Sequence, residues 1–340
     1  MLRWTGIEKF LSRPLPVGLR GLQGRLRKAV CAAVVALLAT LGGAPAAVAA
    51  EPFTVLLDWF VNPDHATLVV AKEKGYFAEA GLEVELIAPA DPNDAPKLVA
   101  AGKADVGITY QPQLQMQVAA GLPLVRIATI VATPLNTLVV LADGPIKSIA
   151  DLKGKKVGFS VGGLEDALLG AMLARHGLTL DDVELVNVNF SLSPSLFAGQ
   201  VDAVIGAYRN FELNQMDILG RPGRAFYVEE EGVPAYDELV AVTNKARLGD
   251  PRMRRFVEAL ERAVQYLVNY PGRSWALFIK AYPDLNDELN RRAWRDTLPR
   301  FALRPAALDR GRYERFAAFL KRQGLIKAIP AVAEYAVEPR

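Results

Sequence analysis

Residues 54–77 read TVLLDWFVNPDHATLVVAKEKGYF, and this stretch predicts a strand, a loop and a helix in succession. The apolar run 55–57 is typical of a buried strand. Asn62 followed by Pro63 indicates a helix start, because Asn is a good cap and Pro fits the first helical position. Gly75 marks the predicted end of that helix. A strand that leads directly into a helix indicates an α/β fold.

The loop between this strand and helix carries side chains suited to a flat polar ligand. It contains two carboxylates, Asp58 and Asp64, together with Trp59, Asn62 and His65. In open α/β sheets, ligands collect just outside the carboxyl ends of the strands. We therefore expect a ligand site here, although an ordinary loop with a packed Trp and a capping Asn explains the pattern equally well.

Residues 1–50 are expected to be a secretory signal peptide. A basic segment precedes the apolar run 29–41, and Ala47-Val48-Ala49 places small residues at a cleavage position. The apolar run is too short to span a bilayer comfortably, which favours a cleaved signal over a membrane anchor. We expect cleavage after Ala49 or Ala50, export to a periplasm, and no stable membrane insertion of the mature chain.

The composition of the remaining residues excludes several functions. The 340-residue chain has a formal charge of +3, but residues 1–50 carry seven basic and one acidic side chain, which leaves −3 for residues 51–340. The overall basic balance therefore gives no reason to expect nucleic acid as a partner. The single cysteine, Cys31, lies in the signal segment, so no disulfide or thiol chemistry is expected in the mature protein.

Predicted strands and helices alternate along the mature chain, which indicates βαβ units and largely parallel sheets. Two segments also resemble each other: residues 101–110 read AGKADVGITY, and residues 198–208 read AGQVDAVIGAY. Each has a Gly where a helix ends, then an Asp, a short apolar strand and a Tyr. We interpret this internal repeat as a sign of two related lobes, with chance similarity as the alternative.

Further candidate ligand-binding residues follow the predicted strands. Tyr110 and Tyr208 fall at the carboxyl ends of two strands, where aromatic faces can stack on a flat ligand. Three polar residues follow these tyrosines closely, namely Gln111, Asn210 and Glu212. The pair Gly162 and Gly163 follows another strand and could offer backbone N–H groups to an anion, although a plain turn explains it more simply.

Enzyme motifs based on metals or cysteine find no support in the sequence. It contains neither HExxH nor paired Cys ligands. One of the two histidines, His176, precedes Gly177 at a predicted helix end, where a structural role is ordinary. The sequence therefore favours a binding protein that uses no cofactor.

Four segments carry a family resemblance. They read LDWFVNPDHATLVVAKEKGYFAEAGLEVEL (57–86), AAGKADVGITYQPQ (100–113), DLKGKKVG (151–158) and GAYRNFE (206–212). Together they resemble the substrate-binding proteins of ABC transporters, in particular the branch with the thiamine pyrimidine-precursor binding proteins and the fungal thiamine-pyrimidine synthases. The resemblance extends over nearly all of residues 52–326.

The resemblance implies an α/β, type II periplasmic-binding-protein fold, in which two lobes with mixed, mostly parallel sheets enclose a ligand cleft. Lobe one would comprise residues 51–142 and 237–340, and lobe two residues 143–236. The resemblance also places five residues in the cleft: Trp59, Asn62, His65, Tyr110 and Glu212.

The expected ligand is a thiamine pyrimidine precursor, an aminopyrimidine of the formylaminopyrimidine or hydroxymethylpyrimidine type, and the expected partner is an ABC transporter permease. Sulfonate, nitrate and riboflavin stay open as other ligands, since Arg209 offers one cation for an anion. The fungal synthases of this branch use a cysteine-rich motif and a lysine that carries pyridoxal phosphate. Here residues 61–64 read VNPD and Cys31 is the single cysteine, so synthase activity is not expected.

Overall fold

The computed structural model describes residues 50–339, so the predicted signal peptide lies outside the described residues except for Ala50. The described chain forms two α/β lobes, each built on a five-stranded mixed sheet. Its strands are β1 (Glu51–Leu56), β2 (Leu82–Ile87), β3 (Val106–Thr109), β4 (Leu124–Val131), β5 (Asn136–Leu141), β6 (Lys156–Phe159), β7 (Glu184–Asn187), β8 (Ala203–Tyr208), β9 (Gly223–Tyr227) and β10 (Leu239–Asn244).

The two sheets share one topology. The first has the strand order β2-β1-β3-β10-β4, and the second has the order β7-β6-β8-β5-β9. In each, one strand pairs in parallel with two neighbours: β1 with β2 and β3, and β6 with β7 and β8. In each, an antiparallel strand follows, β10 in the first sheet and β5 in the second.

The predicted internal repeat is visible in this topology. Asp105 precedes β3, and its Oδ2 accepts the backbone N–H of Thr54 in β1 at 2.9 Å. Asp202 precedes β8, and its Oδ2 accepts the backbone N–H of Lys156 in β6 at 2.9 Å. The matching aspartates therefore make the same contact in the two lobes, which chance similarity does not explain.

The chain crosses between the sheets twice, and the first crossing differs from the predicted boundary at residue 142. β5 was expected in lobe one, yet it pairs with β8 and β9 in the second sheet, so the crossing lies between Val131 and Asn136. An apolar run predicts a strand but does not identify the strand with which it pairs. The second crossing lies between Tyr227 and Leu239, a segment that contains the predicted boundary at residue 236.

Helices cover the sheets, and the long C-terminal helices complete lobe one. The ring of Phe256 stacks between Phe53 of β1 and Phe77, with centroid distances of 5.1 and 5.3 Å. The helices are α1 (Ala66–Glu73), α2 (Tyr76–Glu79), α3 (Asp94–Ala100), α4 (Gln111–Ala119), α5 (Glu165–Arg175), α6 (Leu192–Phe197), α7 (Glu212–Ile218), α8 (Pro251–Asn269), α9 (Pro271–Ala281), α10 (Glu288–Thr297) and α11 (Arg310–Arg322). Between residues 50 and 339, no helix is both long and apolar enough to cross a membrane.

Candidate functional site

A cavity lies between the lobes, where β1, β3, β6 and β8 end. Both lobes contribute to its wall. The lining residues are Asp58, Trp59, Asn62, Asp64, Tyr110, Asn136, Val161, Leu164, Glu165, Leu192, Gly206, Tyr208, Phe211 and Glu212. Polar groups from several strand ends line this cavity, which is therefore the candidate ligand site.

The loop after β1 is held by a capping box. The Asn62 side chain accepts the backbone N–H of Asp64 at 2.8 Å, and Nδ1 of His65 accepts the backbone N–H of Asn62 at 3.2 Å. Pro63 occupies the first position of the short 3-10 turn that leads into α1. The helix start predicted at Asn62-Pro63 is therefore confirmed, and it fixes the backbone that carries Asp58, Trp59 and Asp64.

Asp58 is fixed on both of its oxygens. Since Nδ1 of His65 accepts a hydrogen bond, its Nε2 carries the proton and donates to Oδ1 of Asp58 at 2.9 Å. The Tyr110 hydroxyl donates to Oδ2 at 3.1 Å. Burial, with the neighbouring charge of Asp58, raises the pKa of Tyr110 well above its ordinary value, so the phenol keeps its proton. His65 is 1% exposed and does not line the cavity, and its hydrogen bond fixes the position of Asp58.

Glu165 occupies the equivalent strand exit in lobe two. Its Oε2 accepts the backbone N–H groups of Ser160 at 2.6 Å and Val161 at 3.2 Å, directly after β6. Gly206 has a φ of +99°, and a Cβ at this position would overlap the Glu165 carboxyl group, so glycine makes room for it. Burial raises the pKa of Glu165 to about 8, because the two N–H groups do not offset the loss of water.

Two more carboxyl groups face the cavity, one from each lobe. Glu212 begins α7, and its Oε2 accepts the backbone N–H of Tyr208 at 2.6 Å. Asp64 Oδ1 accepts from Nδ2 of Asn210 at 2.6 Å and lies 2.8 Å from the hydroxyl oxygen of Thr297. Burial raises the pKa of Glu212 to about 7 and that of Asp64 to about 6.

An aromatic contact joins the two lobes beside the cavity. Trp59 of lobe one meets Phe190 of lobe two edge to face, with their centroids 4.6 Å apart, and Phe60 lies at the same distance from Phe190. Trp59 also packs against an apolar cluster of lobe two that includes Leu192. It is half-buried, so it both lines the cavity and bridges the lobes.

The cavity wall contains about half of the residues expected from the sequence. Trp59, Asn62, Tyr110, Tyr208 and Glu212 line it. Five others lie outside the wall: His65, Gln111, Gly162, Gly163 and Asn210.

These five outlying residues have other contacts. Gln111 accepts the backbone N–H of Asp237 at 2.9 Å, so its amide links α4 to the start of β10. Asn210 reaches the cavity only through Asp64. Gly162 and Gly163 form an exposed turn, and the nearby N–H groups expected to hold an anion are already bonded to the Glu165 carboxylate.

Sequence reasoning missed several lining residues. Glu165 in the first turn of a helix is ordinary, so nothing in the sequence separates it from a surface acid. Gly206 lies inside a strand, and Asn136 starts a strand that was assigned to the other lobe. The one available signal was Gly206 itself, since a Gly inside a strand often marks a place where another group approaches the backbone closely.

The cavity wall is acidic and holds no basic side chain. Four of its lining residues are Asp or Glu, and none is Lys, Arg or His. Arg209, the cation expected to favour an anionic ligand, forms two hydrogen bonds with Glu229, at 2.7 and 2.8 Å, and lies 4.4 Å from the Tyr227 ring. The Arg209 guanidinium, which was expected to favour an anionic ligand, is therefore paired with Glu229 instead.

Residues 158–162 read GFSVG, which matches the pattern of a serine nucleophile between a strand and a helix. The Ser160 hydroxyl, however, donates to the backbone carbonyl of Asn189. Both histidines have other partners, since His65 bonds to Asp58 and His176 to Glu231. Ser160 therefore has no base to activate it, and residues 50–339 contain no cluster of three or more His, Cys, Asp or Glu placed to hold a metal ion.

Comparison with known proteins gives a consistent result. Residues 62–274 match the model of a family described as NMT1/THI5 like. A Haemophilus influenzae protein named for thiamine biosynthesis is 54% identical over 85% of this chain and 93% of its own length. A formylaminopyrimidine-binding protein of Halalkalibacterium halodurans is 33% identical over 70% of this chain and 73% of its own length.

More distant relatives include enzymes. A 4-amino-5-hydroxymethyl-2-methylpyrimidine phosphate synthase of Aspergillus parasiticus is 26% identical over 74% of this chain and 77% of its own length. Among solved structures, the alkanesulfonate-binding protein of Xanthomonas axonopodis pv. citri covers 86% of this chain and 99% of its own, with a TM-score of 0.66 and 17% identity. That likeness concerns the fold alone, and it confirms the predicted type II periplasmic-binding-protein architecture.

Proposed function

Because the chain belongs to the NMT1/THI5-like family, we propose that it captures a thiamine pyrimidine precursor of the formylaminopyrimidine or hydroxymethylpyrimidine type. The observation that carries this proposal is the acid-lined cavity between the lobes. The protein binds its ligand there and does not transform it.

A neutral aminopyrimidine suits the polar groups of this wall. Its ring carries amino N–H donors beside ring nitrogens that accept hydrogen bonds. Glu212, with its pKa of about 7, accepts an N–H through its carboxylate form, and protonated Glu165, with its pKa of about 8, donates to a ring nitrogen at neutral pH. Trp59, Tyr110 and Tyr208 supply aromatic surface around a flat ring.

Anionic ligands suit this wall poorly. A sulfonate or nitrate would be placed among Asp58, Asp64 and Glu212 without a Lys or Arg in the wall. The backbone N–H groups after β6, which would otherwise hold an anion, already bond to Glu165. Like charges in a desolvated cavity repel strongly, so we do not expect sulfonate or nitrate to be the ligand of this protein.

The proposed partner is the permease of an ABC importer. Export is supported by the signal-peptide pattern of residues 1–50, and the relative from H. halodurans is named as a binding protein. In this role, ligand-dependent closure of the two lobes presents a loaded surface to the permease.

The synthase relatives make an enzyme the second candidate. The residues of this chain do not favour it. Its single cysteine is Cys31, in the predicted signal, and the cavity wall contains no lysine on which pyridoxal phosphate could be held.

Calorimetry on the mature chain, residues 51–340, tests the proposal. We expect 4-amino-5-hydroxymethyl-2-methylpyrimidine to bind, and to stabilise the fold by about 2.7 kcal/mol at a hundredfold excess over Kd. The matched control ligand is the same pyrimidine without its 4-amino group, which should bind more weakly. Mass spectrometry of small molecules released from protein purified from its native host identifies the natural ligand. Tight binding of ethanesulfonate, with no binding of the aminopyrimidine, would overturn the proposal.

A further inference from the structure

Asp64 lies between the lobes and uses only one of its two oxygens. Oδ1 accepts from Nδ2 of Asn210, which belongs to lobe two, and lies beside the Thr297 hydroxyl of lobe one. Oδ2 is buried and has no hydrogen-bond partner among the described residues. The side chain is 1% exposed and lines the cavity.

An unpartnered carboxylate oxygen in such a place is costly. A buried acceptor without a hydrogen bond loses its hydration and gains nothing in return. The fold could remove this cost with a neighbouring hydroxyl or amide, yet the surrounding donors of Asn210 and Thr297 both serve Oδ1. Because Asp64 lines the cavity, a ligand bound there is in a position to supply the missing donor.

We propose that Asp64 couples ligand capture to closure of the lobes, because an N–H group of the ligand donates to Oδ2 while Asn210 of lobe two donates to Oδ1. This inference rests on the proposed function and adds Asp64 as a residue that accepts a hydrogen bond from the ligand. One carboxylate then links three parties, namely lobe one, lobe two and the ligand. A ligand without a free N–H donor would leave Oδ2 unpaired and close the cleft less firmly.

The free Oδ2 of Asp64 also gives Asn210 a role. This asparagine is 1% exposed and does not line the cavity. Its side chain donates to Asp64 and holds that carboxyl group in one orientation. Asn210 is thus a positioning residue, and Asp64 is the contact residue. The ligand chemistry that this pair recognises is a neutral heterocycle with an N–H donor at its edge.

The chain offers a matched control for this pair. Asn214, one helical turn further along, donates through Nδ2 to Asp296 Oδ2 at 2.7 Å and to the Asn210 carbonyl at 2.8 Å. Its contact with Asp296 also joins lobe two to lobe one, by the same chemical groups. Asp296 is exposed and does not line the cavity, so this contact is independent of ligand.

The experiment compares N210A, N214A and D64N with the wild-type mature chain, using 4-amino-5-hydroxymethyl-2-methylpyrimidine as the probe. Calorimetry measures Kd, and small-angle X-ray scattering measures the decrease in radius of gyration on ligand addition. We expect N210A and D64N each to weaken binding by about ten- to a hundredfold. N214A should stay within about threefold of wild type, because an exposed contact of this kind contributes little. Ligand-induced compaction should be reduced in N210A and kept in N214A.

The outcomes separate the two proposals. Wild-type protein that fails to bind the probe would overturn both the proposed function and the role of Asp64. Wild-type protein that binds, with N210A and N214A equally affected or both unaffected, would overturn the role of Asp64 alone. If N210A does not fold, D64N decides, since it keeps the shape of the side chain: wild-type affinity in D64N would refute the coupling.

Discussion

The exits of β1 and β6 occupy equivalent positions in the two lobes, yet they hold their carboxyl groups differently. After β1, Asp58 receives two side-chain donors, one on each oxygen, from His65 and Tyr110. After β6, Glu165 receives two backbone N–H groups on a single oxygen. Both acids are buried, at 3% exposure each.

This difference gives the two walls of the cavity different chemistry. Both oxygens of Asp58 accept hydrogen bonds from side chains of lobe one, so its carboxyl group is held in one orientation. Burial dominates at Glu165 and raises its pKa to about 8, so this acid carries a proton at neutral pH. Lobe one therefore holds the Asp58 carboxyl group in a fixed orientation through side chains, and lobe two offers in Glu165 a donor that titrates. A ligand with donors and acceptors along one edge can use both walls.

The largest effect should follow from removing the support of Asp58. His65→Ala deletes a buried hydrogen bond to a charged group, which contributes about 1.5–3 kcal/mol, and leaves an empty volume in lobe one. We expect the free energy of unfolding of the ligand-free protein to fall by about 3 kcal/mol or more in urea denaturation.

His176→Ala is the matched control for this substitution. His176 also bonds to a carboxylate, Glu231 at 2.8 Å, but in an exposed setting. It should cost less than about 1 kcal/mol. Equal losses for the two histidine variants would show that Asp58 does not need the imidazole, and the contrast between the lobes would lose its basis.

Much of the fold follows from local sequence, whereas the titrating wall does not. The cap at Asn62-Pro63 and the aspartates of the internal repeat act over a few residues, so the sequence shows them directly. Glu165 meets Gly206 only because β6 and β8 are neighbours in the sheet. Its proton depends on burial by distant segments, and no pattern of adjacent residues reports that. The first crossing between the lobes, before β5, was not predicted for the same reason: the partners of β5 in the sheet are distant in sequence.

Glu212→Gln should give the next largest effect and tests whether lobe two also needs a charged acceptor. The amide keeps the shape of the side chain and loses the charge that accepts a ligand N–H. Binding of 4-amino-5-hydroxymethyl-2-methylpyrimidine should weaken by about ten- to a hundredfold in calorimetry, which corresponds to a charged hydrogen bond. The control, Glu184→Gln, alters an exposed residue of β7 and should leave Kd unchanged. Unchanged affinity in Glu212→Gln would remove this residue from the ligand contacts.

The smallest effect should be a pH dependence that separates the two walls. The raised pKa of Glu165 means that the folded protein keeps a proton up to about pH 8, whereas an unfolded Glu releases it near its ordinary value of 4.5. Between these limits the native state binds more protons than the unfolded state, so stability falls as pH rises. Asp64, Glu212 and Glu238 act in the same direction, with pKa values of about 6, 7 and 7.

Between pH 7 and 8 Glu165 contributes the largest part of the fall, because Glu212 and Glu238 are already half titrated at pH 7 and Asp64 has largely titrated. Glu165 should account for at most about 1.4 kcal/mol of the fall in the free energy of unfolding of the ligand-free protein there, the limit for one proton per pH unit. Glu165→Gln should reduce the fall between pH 7 and 8 to the part due to Glu212 and Glu238, and should lower the slope below pH 7 by one proton, while Glu184→Gln should follow wild type throughout. A wild-type profile that is flat or rising between pH 7 and 8 would mean that Glu165 is ionised. Lobe two would then present a second fixed acceptor, and the donor to a ring nitrogen would have to come from elsewhere in the cavity.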